Sequence, residues 1–201
     1  MQLLGANASP FVRKARVLIA EAAIGEVTYM EVAASPMGGE ERINLANPLG
    51  KIPALVREDG PTIFDSNVIC RFLDEHAQAG LYPQSRLWDV LTLEALADGI
   101  MEAAVGITYE KRFRPEALWW PEWHAAQWTK IDRALGALEA GWMSHLRGRL
   151  TMGQVAVGCA LGYLDLRHGD RDWRLGHPAL ADWFTVFSAR PSMTATAPTP
   201  A

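Results

Sequence analysis

The chain has 201 residues, which is enough for one large domain or two small ones with packed cores. Its 49% hydrophobic and 21% charged residues are typical of a globular protein and exclude a disordered or fibrous chain. The formal net charge of -4 lacks the basic excess that attracts phosphates, so we do not expect nucleic acid as a partner.

The chain begins with the pattern of a strand followed by a helix. Residues 3–4 are apolar, and apolar residues recur at helical spacing over residues 10–23. Ser9 followed by proline suits the helix start, because serine caps a backbone amide and proline fits the first helical turn. Residues 27–32 then alternate as a strand, and residues 40–46 predict a short second helix.

A hairpin and a third helix complete the first domain. Residues 54–57 and 62–64 are short apolar runs separated by Asp59-Gly60, which is a strong hairpin signal. Asp65-Ser66 then opens a helix with apolar residues on one face. The order β-α-β-α-β-β-α over residues 1–78 predicts a small α/β domain with a single sheet.

Strand patterns stop after this point, and helical patterns take over. They cover residues 86–111, 122–141, 154–166 and 179–189. We therefore predict an all-helical second domain over residues 85–201. Residues 194–201 consist of Thr, Ala and Pro only, and we expect them to be irregular.

Cysteine and histidine usage indicates neither disulfides nor a metal. Cys70 and Cys159 lie far apart in apolar helical patterns, so we expect buried thiols. His124, His145 and His168 lack metal-ligand spacing, and we interpret them as surface or structural residues. No signal-peptide pattern and no bilayer-length apolar run is present in the sequence, so we expect a cytoplasmic protein without membrane contact.

Three motifs at the turns of the first domain resemble the glutathione transferase superfamily. They are Ser9-Pro10-Phe11-Val12-Arg13, Asn47-Pro48-Leu49-Gly50-Lys51-Ile52-Pro53 and Phe64-Asp65-Ser66. Four further stretches resemble the small bacterial YibF-type members: residues 94–101, 109–112, 114–116 and 188–192. The resemblance covers essentially the whole chain. It implies a thioredoxin-like first domain with a mixed four-stranded sheet that holds glutathione as co-substrate, and an all-helical domain for the second substrate.

By this resemblance Ser9 takes the catalytic place, where the family has a hydroxyl that hydrogen-bonds the glutathione sulfur. A helix start and a hydroxyl donor favour the thiolate over the thiol, whose ordinary pKa is about 8.5. Local sequence alone favours a mere helix cap. Asn7 is a second candidate for the same hydrogen bond. Because position 9 is not a cysteine, a mixed disulfide with glutathione cannot form there, which favours thiolate attack over glutaredoxin-like reduction.

The resemblance assigns the remaining glutathione contacts, and each also has a plainer interpretation. Ile52-Pro53 would be the family's cis-proline step, whose backbone pairs with the cysteinyl part of glutathione, although most such bonds are trans. Lys51 would reach the glycyl carboxylate, although most loop lysines are merely solvated. Asp65-Ser66 would bind the γ-glutamyl end, although the pair is equally a helix cap. Phe11 is assigned to the same site.

The helical domain is implied to form the pocket for a hydrophobic electrophile. The candidate wall residues are apolar or aromatic: Met101, Val105, Tyr109, Phe113, Trp119 and Trp120. A stripe at helical spacing is more often packing, so each could equally be core. Asp98 lies in an apolar helix, where an unpaired carboxylate is costly, and we expect it to hydrogen-bond across domains or subunits, or else to contact ligand.

The sequence thus predicts a homodimeric glutathione transferase in which Ser9 stabilises the glutathione thiolate for attack on a small hydrophobic electrophile. The dimer is implied by the resemblance. Two alternatives stay open. A glutathione-dependent lyase, dehalogenase or isomerase would use the same site, and a non-catalytic member of the fold would bind glutathione or dock a protein. No metal cofactor is expected.

Overall fold

A computed structural model describes residues 1–198 of the chain. The strands are β1 (Gln2–Gly5), β2 (Thr28–Glu31), β3 (Ala34–Ser35), β4 (Gly38–Gly39), β5 (Ala54–Val56) and β6 (Ile63–Phe64). The α-helices are α1 (Pro10–Glu21), α2 (Glu41–Ala46), α3 (Ser66–Ala77), α4 (Leu87–Phe113), α5 (Pro121–Ala137), α6 (Met143–Leu146), α7 (Met152–Arg167), α8 (Pro178–Ser188) and α9 (Pro191–Ala195). These elements form two compact units, one of residues 1–84 with residues 191–198, the other of residues 85–190.

The first unit contains a mixed four-stranded sheet in the order β2-β1-β5-β6. The central strand β1 pairs parallel with β2 and antiparallel with β5, which continues antiparallel to β6. Leu3, Leu4 and Leu55 in the two middle strands are fully buried and form part of the core. The predicted α/β domain with a mixed four-stranded sheet is confirmed, although the structure adds a second, two-stranded sheet of β3 and β4.

A close approach at the end of β1 positions the turn that leads into α1. A Cβ added at Gly5 would lie 2.6 Å from the Cγ1 atom of Val12, a distance that side chains essentially never adopt. Glycine therefore lets the chain turn tightly over residues 6–9 and places Ser9 directly at the start of the helix.

A small hairpin between β2 and α2 was not predicted. Its strands β3 and β4 have two residues each, and Ser35 pairs with Gly38. Gly38 has φ +133°, a conformation that glycine adopts without steric cost. Strands this short carry no alternating apolar pattern, so the sequence gives no signal for them.

The C-terminal segment differs in part from the prediction, which placed it with the helical domain and expected irregular structure from Thr194: a helix extends to Ala195, whereas residues 196–198 lie in no helix or strand, as expected. It forms α9 and packs on α1 of the first unit, because Arg13 donates a hydrogen bond to the Met193 carbonyl at 2.9 Å and Ser192 donates one to Glu21. Met193 is fully buried. Residues 199–201 of the expected irregular tail lie outside the described residues.

The second unit is helical, as predicted, and α7 runs through its centre. Residues 151–161 are all buried. A Cβ at Gly153 would meet the Leu93 side chain at 2.8 Å, so glycine lets α7 approach α4 closely. The start of α7 carries a capping box, in which the Gln154 side chain accepts from the Thr151 amide at 2.7 Å.

The helix predicted over residues 122–141 is interrupted. α5 ends at Ala137, a π-helical turn covers Leu138–Trp142, and α6 follows. The turn directs Glu139 to the start of α8, where its carboxylate accepts the amides of Ala179 and Leu180 at 2.9 and 2.7 Å. These amides have no partner within their own helix, so the Glu139 carboxylate caps a partly buried helix start, a contact that the local sequence does not reveal.

Both predicted buried thiols, Cys70 and Cys159, are buried. Across residues 1–198 no helix has the length and apolar composition that a membrane crossing requires. In the same part of the chain, no three His, Cys, Asp or Glu side chains are grouped so as to hold a metal ion.

His168 is a buried structural residue at the end of α7, in agreement with its interpretation as structural. Its Nε2 atom lies 3.0 Å from the Ala104 carbonyl oxygen and 3.3 Å from the Thr108 hydroxyl of α4. Burial lowers the pKa of His168 below its usual value, and the Ala104 hydrogen bond opposes this only in part.

This lowered pKa predicts an acid-dependent loss of stability. The unfolded chain takes up the proton near pH 6.5 and the folded chain only at lower pH, so the free energy of unfolding falls as the pH drops below about 6.5. The loss is about 1.4 kcal/mol for each pH unit that separates the two pKa values. Urea unfolding across this range should show a shallower acid loss in His168→Gln, which keeps an amide donor for Ala104. Parallel pH profiles of the two proteins would contradict the prediction.

Candidate active site

Ser9 lies where the turn after β1 enters α1. Its backbone is extended, with φ -77° and ψ 123°, and its Oγ accepts the Val12 amide at 3.3 Å. This bond uses an oxygen lone pair and leaves the hydroxyl proton for donation to a ligand. The side chain is half-buried. A partly accessible hydroxyl therefore stands at the positive end of a helix, where an anion is stabilised.

The loop before β5 is held by a buried amide. Asn47 is 2% exposed; its Nδ2 donates to the Lys51 carbonyl at 2.8 Å, and its Oδ1 accepts the Leu49 amide at 3.0 Å. Gly50 has φ +63°, which favours glycine. The Ile52-Pro53 peptide bond is cis, as the family resemblance implies. Asn47 thus fixes the backbone that presents the exposed Lys51 side chain.

Removal of the Asn47 amide should destabilise this unit. Asn47→Asp keeps the acceptor for Leu49 but leaves the Lys51 carbonyl without its donor, which costs about 1–3 kcal/mol of unfolding free energy. Urea denaturation measures the loss. The matched control is Asn44→Ala, because Asn44 is exposed and its amide makes only a 3.5 Å contact to Gly39; it should change stability by less than about 0.5 kcal/mol. Equal effects of the two substitutions would contradict this role of Asn47.

Asp65 combines a helix cap with an unusual backbone conformation. It has φ +73° and ψ 132°, and its Oδ1 accepts the amides of Asn67 and Val68 at 2.8 and 3.4 Å. A non-glycine residue in such a conformation stores about 1–3 kcal/mol of strain. Asp65 is exposed, whereas Ser66 beside it is buried at the first position of α3. The Asp65 carboxylate thus caps α3 from a strained backbone position and stays accessible to solvent.

A buried lysine links the two helix starts, and sequence reasoning missed it. Lys14 is fully buried in α1, and its Nζ donates to Asn67 Oδ1 at 2.6 Å. Asn67 in turn gives its amide to Asp65. The helical spacing of α1 could have indicated this burial, because Lys14 lies on the same apolar face as Val17 and Leu18. The contact ties the helix that begins after Ser9 to the first turn of α3.

Two further residues at the start of the chain belong to the same region. Asn7, the second candidate for the sulfur contact, accepts a hydrogen bond from Arg16 through its Oδ1 atom. The Arg16 guanidinium also lies over the Tyr29 ring, 4.4 Å from its centroid. The hydrogen bond from Arg16 orients the Asn7 amide toward α1. Phe11 is partly exposed on the first turn of that helix.

The candidate wall residues of the helical unit differ in exposure. Met101 is fully buried and has no surface to offer a ligand in this structure, so it belongs to the core. Partly exposed side chains are those of Val105, Tyr109, Phe113 and Trp119, and Trp120 is 59% exposed. Burial raises the pKa of the Tyr109 phenol above its usual value, which is already well above neutral pH.

Three acidic residues of α4 are largely removed from solvent: Glu94 and Asp98 are buried, and the Glu110 side chain is 9% exposed. Asp98 is 8% exposed and takes part in a polar interaction. Glu110 holds the segment between α4 and α5, and sequence reasoning missed this role. Its carboxylate lies 2.9 Å from His124 Nε2 and 3.4 Å from an Arg114 nitrogen, and it accepts the Trp120 amide at 3.3 Å. Glu110 thereby orients the aromatic segment around Trp119 and Trp120.

Comparisons with known proteins place the two units in one family. The model of the glutathione S-transferase N-terminal domain matches residues 8–76, and that of the C-terminal domain matches residues 121–185. The chain is 32% identical to the uncharacterized GST-like protein YibF of Escherichia coli (strain K12), with 98% of each chain covered.

Solved structures are similar over the same extent. A glutathione transferase family member from Pseudomonas fluorescens Pf-5, with bound glutathione, is 43% identical with a TM-score of 0.96 over 98% of each chain. A glutathione S-transferase from Methylobacillus flagellatus KT, with GSH bound, is 36% identical with a TM-score of 0.89 over 98% of this chain and 99% of that one. With matches in both domains and along nearly its whole length, the chain belongs to the glutathione S-transferase family.

Proposed function

We propose that this chain is a glutathione transferase in which Ser9 stabilises the thiolate of bound glutathione for attack on a small hydrophobic electrophile. The observation that carries the proposal is the Ser9 hydroxyl, half-buried at the positive end of α1 with its proton available for donation. The 43% identical relative with bound glutathione supports a glutathione site in this chain as well.

The magnitudes are sufficient for this chemistry. A thiol with a pKa of about 8.5 is only a few per cent ionised at neutral pH. A helix N-terminus stabilises an anion by about 0.3–1 kcal/mol, and a hydrogen bond to a charged group contributes about 1.5–3 kcal/mol. Since about 1.4 kcal/mol corresponds to one pKa unit, the two effects together lower the thiol pKa to about 6 or 7. Most of the bound glutathione would then be thiolate at neutral pH.

The charged groups of the first unit match those of glutathione. Lys51 is exposed and would bind the glycyl carboxylate. Asp65 uses Oδ1 for the helix amides, which leaves Oδ2 for the γ-glutamyl ammonium group. The start of α3 at Ser66 would bind the γ-glutamyl carboxylate through backbone amides. The Ile52 backbone would pair with the cysteinyl part, and Phe11 would contact the tripeptide at the start of α1.

The helical unit would supply the site for the electrophile. Its partly exposed aromatic residues Tyr109, Phe113 and Trp119, with Val105 and Trp120, offer the apolar contacts that hydrophobic ligands require. The protonated Tyr109 phenol would also donate a hydrogen bond to an oxygen of the substrate.

We propose a homodimer in a reducing, cytoplasmic environment, where its buried thiols and its co-substrate stay reduced. Light scattering of the purified chain tests the dimer.

Two measurements test the transferase proposal. Calorimetry should show glutathione binding, and mass spectrometry should show S-conjugates with at least one member of a panel of aryl halides, enones and epoxides. Halide release or double-bond isomerisation without a stable conjugate would redirect the same site to elimination or isomerisation. No heat of binding at millimolar glutathione would contradict the proposal and favour a protein that docks a partner.

A further inference from the structure

The segment that joins α4 to α5 carries two of the aromatic side chains proposed to bind the electrophile. This connecting segment consists of residues 114–120 and includes Trp119 and Trp120. Six of its seven residues are exposed, so little buried apolar surface holds it in place. Its position must therefore depend on specific polar contacts.

Glu110, in the last turn of α4, makes these contacts. Its Oε1 atom accepts the Trp120 amide at 3.3 Å and lies 3.4 Å from an Arg114 nitrogen, so it reaches both ends of the connecting segment. Its Oε2 atom lies 2.9 Å from the Nε2 atom of His124 in the first turn of α5. In the described part of the chain, every other hydrogen bond of the connecting segment is local and joins residues at most five positions apart.

The Glu110 carboxylate can hold the connecting segment firmly because it is largely removed from water. Its side chain is 9% exposed, and that of His124 is 13% exposed. Polar contacts are stronger in such surroundings than at the surface, and a buried polar group that loses its partner is costly. Glu110 also places a negative charge near the start of α5, where Trp120 as N-cap supplies no side-chain hydrogen bond.

The same contacts orient the two tryptophan side chains. The Trp119 indole donates to the Arg114 carbonyl at 3.1 Å, and its ring centroid lies 6.3 Å from that of His124. Arg114 and His124 both contact the Glu110 carboxylate, so the position of Trp119 depends on that carboxylate through two neighbours. Trp120 depends on it directly, through its own backbone amide.

We propose that Glu110 is a positioning residue for the electrophile: its carboxylate holds the connecting segment so that Trp119 and Trp120 contact the apolar part of the substrate. Glu110 thereby sets the affinity for that part and leaves the affinity for glutathione unchanged, since its contacts all lie in the helical unit. The inference rests on the proposed transferase function, from which it takes the assignment of the two tryptophans to the electrophile.

Two ligands separate these affinities without any measure of catalysis. S-Hexylglutathione carries the same tripeptide as glutathione with an apolar tail on the sulfur, so the ratio of the two Kd values from calorimetry reports the contribution of the tail. The wild type should bind S-hexylglutathione at least about tenfold more tightly than glutathione. Glu110→Met combined with His124→Leu replaces the buried pair by apolar side chains and leaves neither partner alone.

This double variant should lose at least about fivefold of the tail advantage, which corresponds to one or two buried methylene groups. Its Kd for glutathione itself should change by less than about twofold, because that site is distant from the substitution. Hydrogen exchange of the Trp120 amide should be at least about tenfold faster than in the wild type. Should thermal melts show that the double variant does not fold, Glu110→Gln, which removes only the charge, should reduce the tail advantage by at least about twofold.

Glu116→Gln is the matched control. Glu116 is an exposed acid of the connecting segment, and in the described structure its carboxylate makes neither a hydrogen bond nor an ion pair. The control should keep the wild-type Kd values and the wild-type exchange rate of the Trp120 amide.

The outcomes distinguish this inference from the function on which it rests. Faster exchange at Trp120 with an unchanged tail advantage would overturn the role of Glu110, and so would an equal loss of affinity for both ligands. A wild type that binds glutathione but gains nothing from the hexyl tail would overturn the assignment of Trp119 and Trp120 to the electrophile. A wild type that binds neither ligand would overturn the transferase proposal, and this inference with it.

Discussion

Substitution of Ser9 by Ala is expected to lower kcat for conjugation by about tenfold to a hundredfold, while the Kd of glutathione changes by less than about threefold. The reason is that the hydroxyl contacts the sulfur most strongly when it is an anion, and a hydrogen bond to a charged group contributes about 1.5–3 kcal/mol. The pH at which kcat reaches half its plateau should rise by at least about one unit, since the bound thiol regains a higher pKa.

The helix cap must be separated from this effect. Ser9→Ala also removes the acceptor for the Val12 amide, which costs about 1 kcal/mol of stability. Ser9→Thr keeps both the cap and a hydroxyl, so its pH profile should stay close to that of the wild type. Unfolding curves recorded under assay conditions should show that all three proteins are folded. If Ser9→Ala lost binding and turnover in equal proportion at an unchanged pH profile, Ser9 would be a binding residue only.

Asp65→Asn is expected to weaken glutathione binding by about tenfold with little loss of stability. The amide oxygen still accepts the helix amides, and asparagine tolerates a positive φ better than most residues. What disappears is the negative charge beside the γ-glutamyl ammonium group, and a charge-assisted hydrogen bond is worth about 1.5–3 kcal/mol. Calorimetry measures the Kd, and urea unfolding should change by less than about 1 kcal/mol.

Asp65→Ala and Asp65→Gly are the controls that separate the loss of the helix cap from the strain of the backbone conformation. Alanine loses the cap and keeps the strain of φ +73°, so it should lower the unfolding free energy by about 1–3 kcal/mol. Glycine adopts this conformation freely and should be distinctly more stable than alanine. All three variants should bind glutathione equally poorly, because all lack the charge. Tight binding by the asparagine variant would show that Asp65 only caps α3.

The elements with strong local signals could be predicted from the sequence. The Ser9 cap before a proline, the hairpin around Asp59-Gly60 and the start of α3 each depend on neighbouring residues, and the structure contains all of them. The features that were missed depend on distant partners. The position of α9 depends on a hydrogen bond from Arg13 to the Met193 carbonyl, and no local sequence pattern predicts a contact between residues so far apart in the chain.

In the candidate site, too, the features set by neighbouring residues could be predicted and those set by distant partners could not. The residues next to Ser9 predict that a helix begins there. The burial of Lys14 could not be predicted in this way, because it depends on a hydrogen bond to Asn67 in another helix. The positive φ of Asp65 is invisible in the sequence, because an Asp-Ser pair is also an ordinary cap. The burial of Met101 likewise depends on tertiary packing, since helical spacing does not distinguish a core from a pocket wall.

The most direct test of the mechanism is the ultraviolet absorbance of thiolate when wild-type protein is saturated with glutathione at neutral pH. We expect an absorbance increase that corresponds to ionised sulfur in most of the occupied sites, and a much smaller one in Ser9→Ala at equal occupancy. A wild-type complex whose bound glutathione shows no more thiolate than glutathione free in solution would contradict the role assigned to the Ser9 hydroxyl.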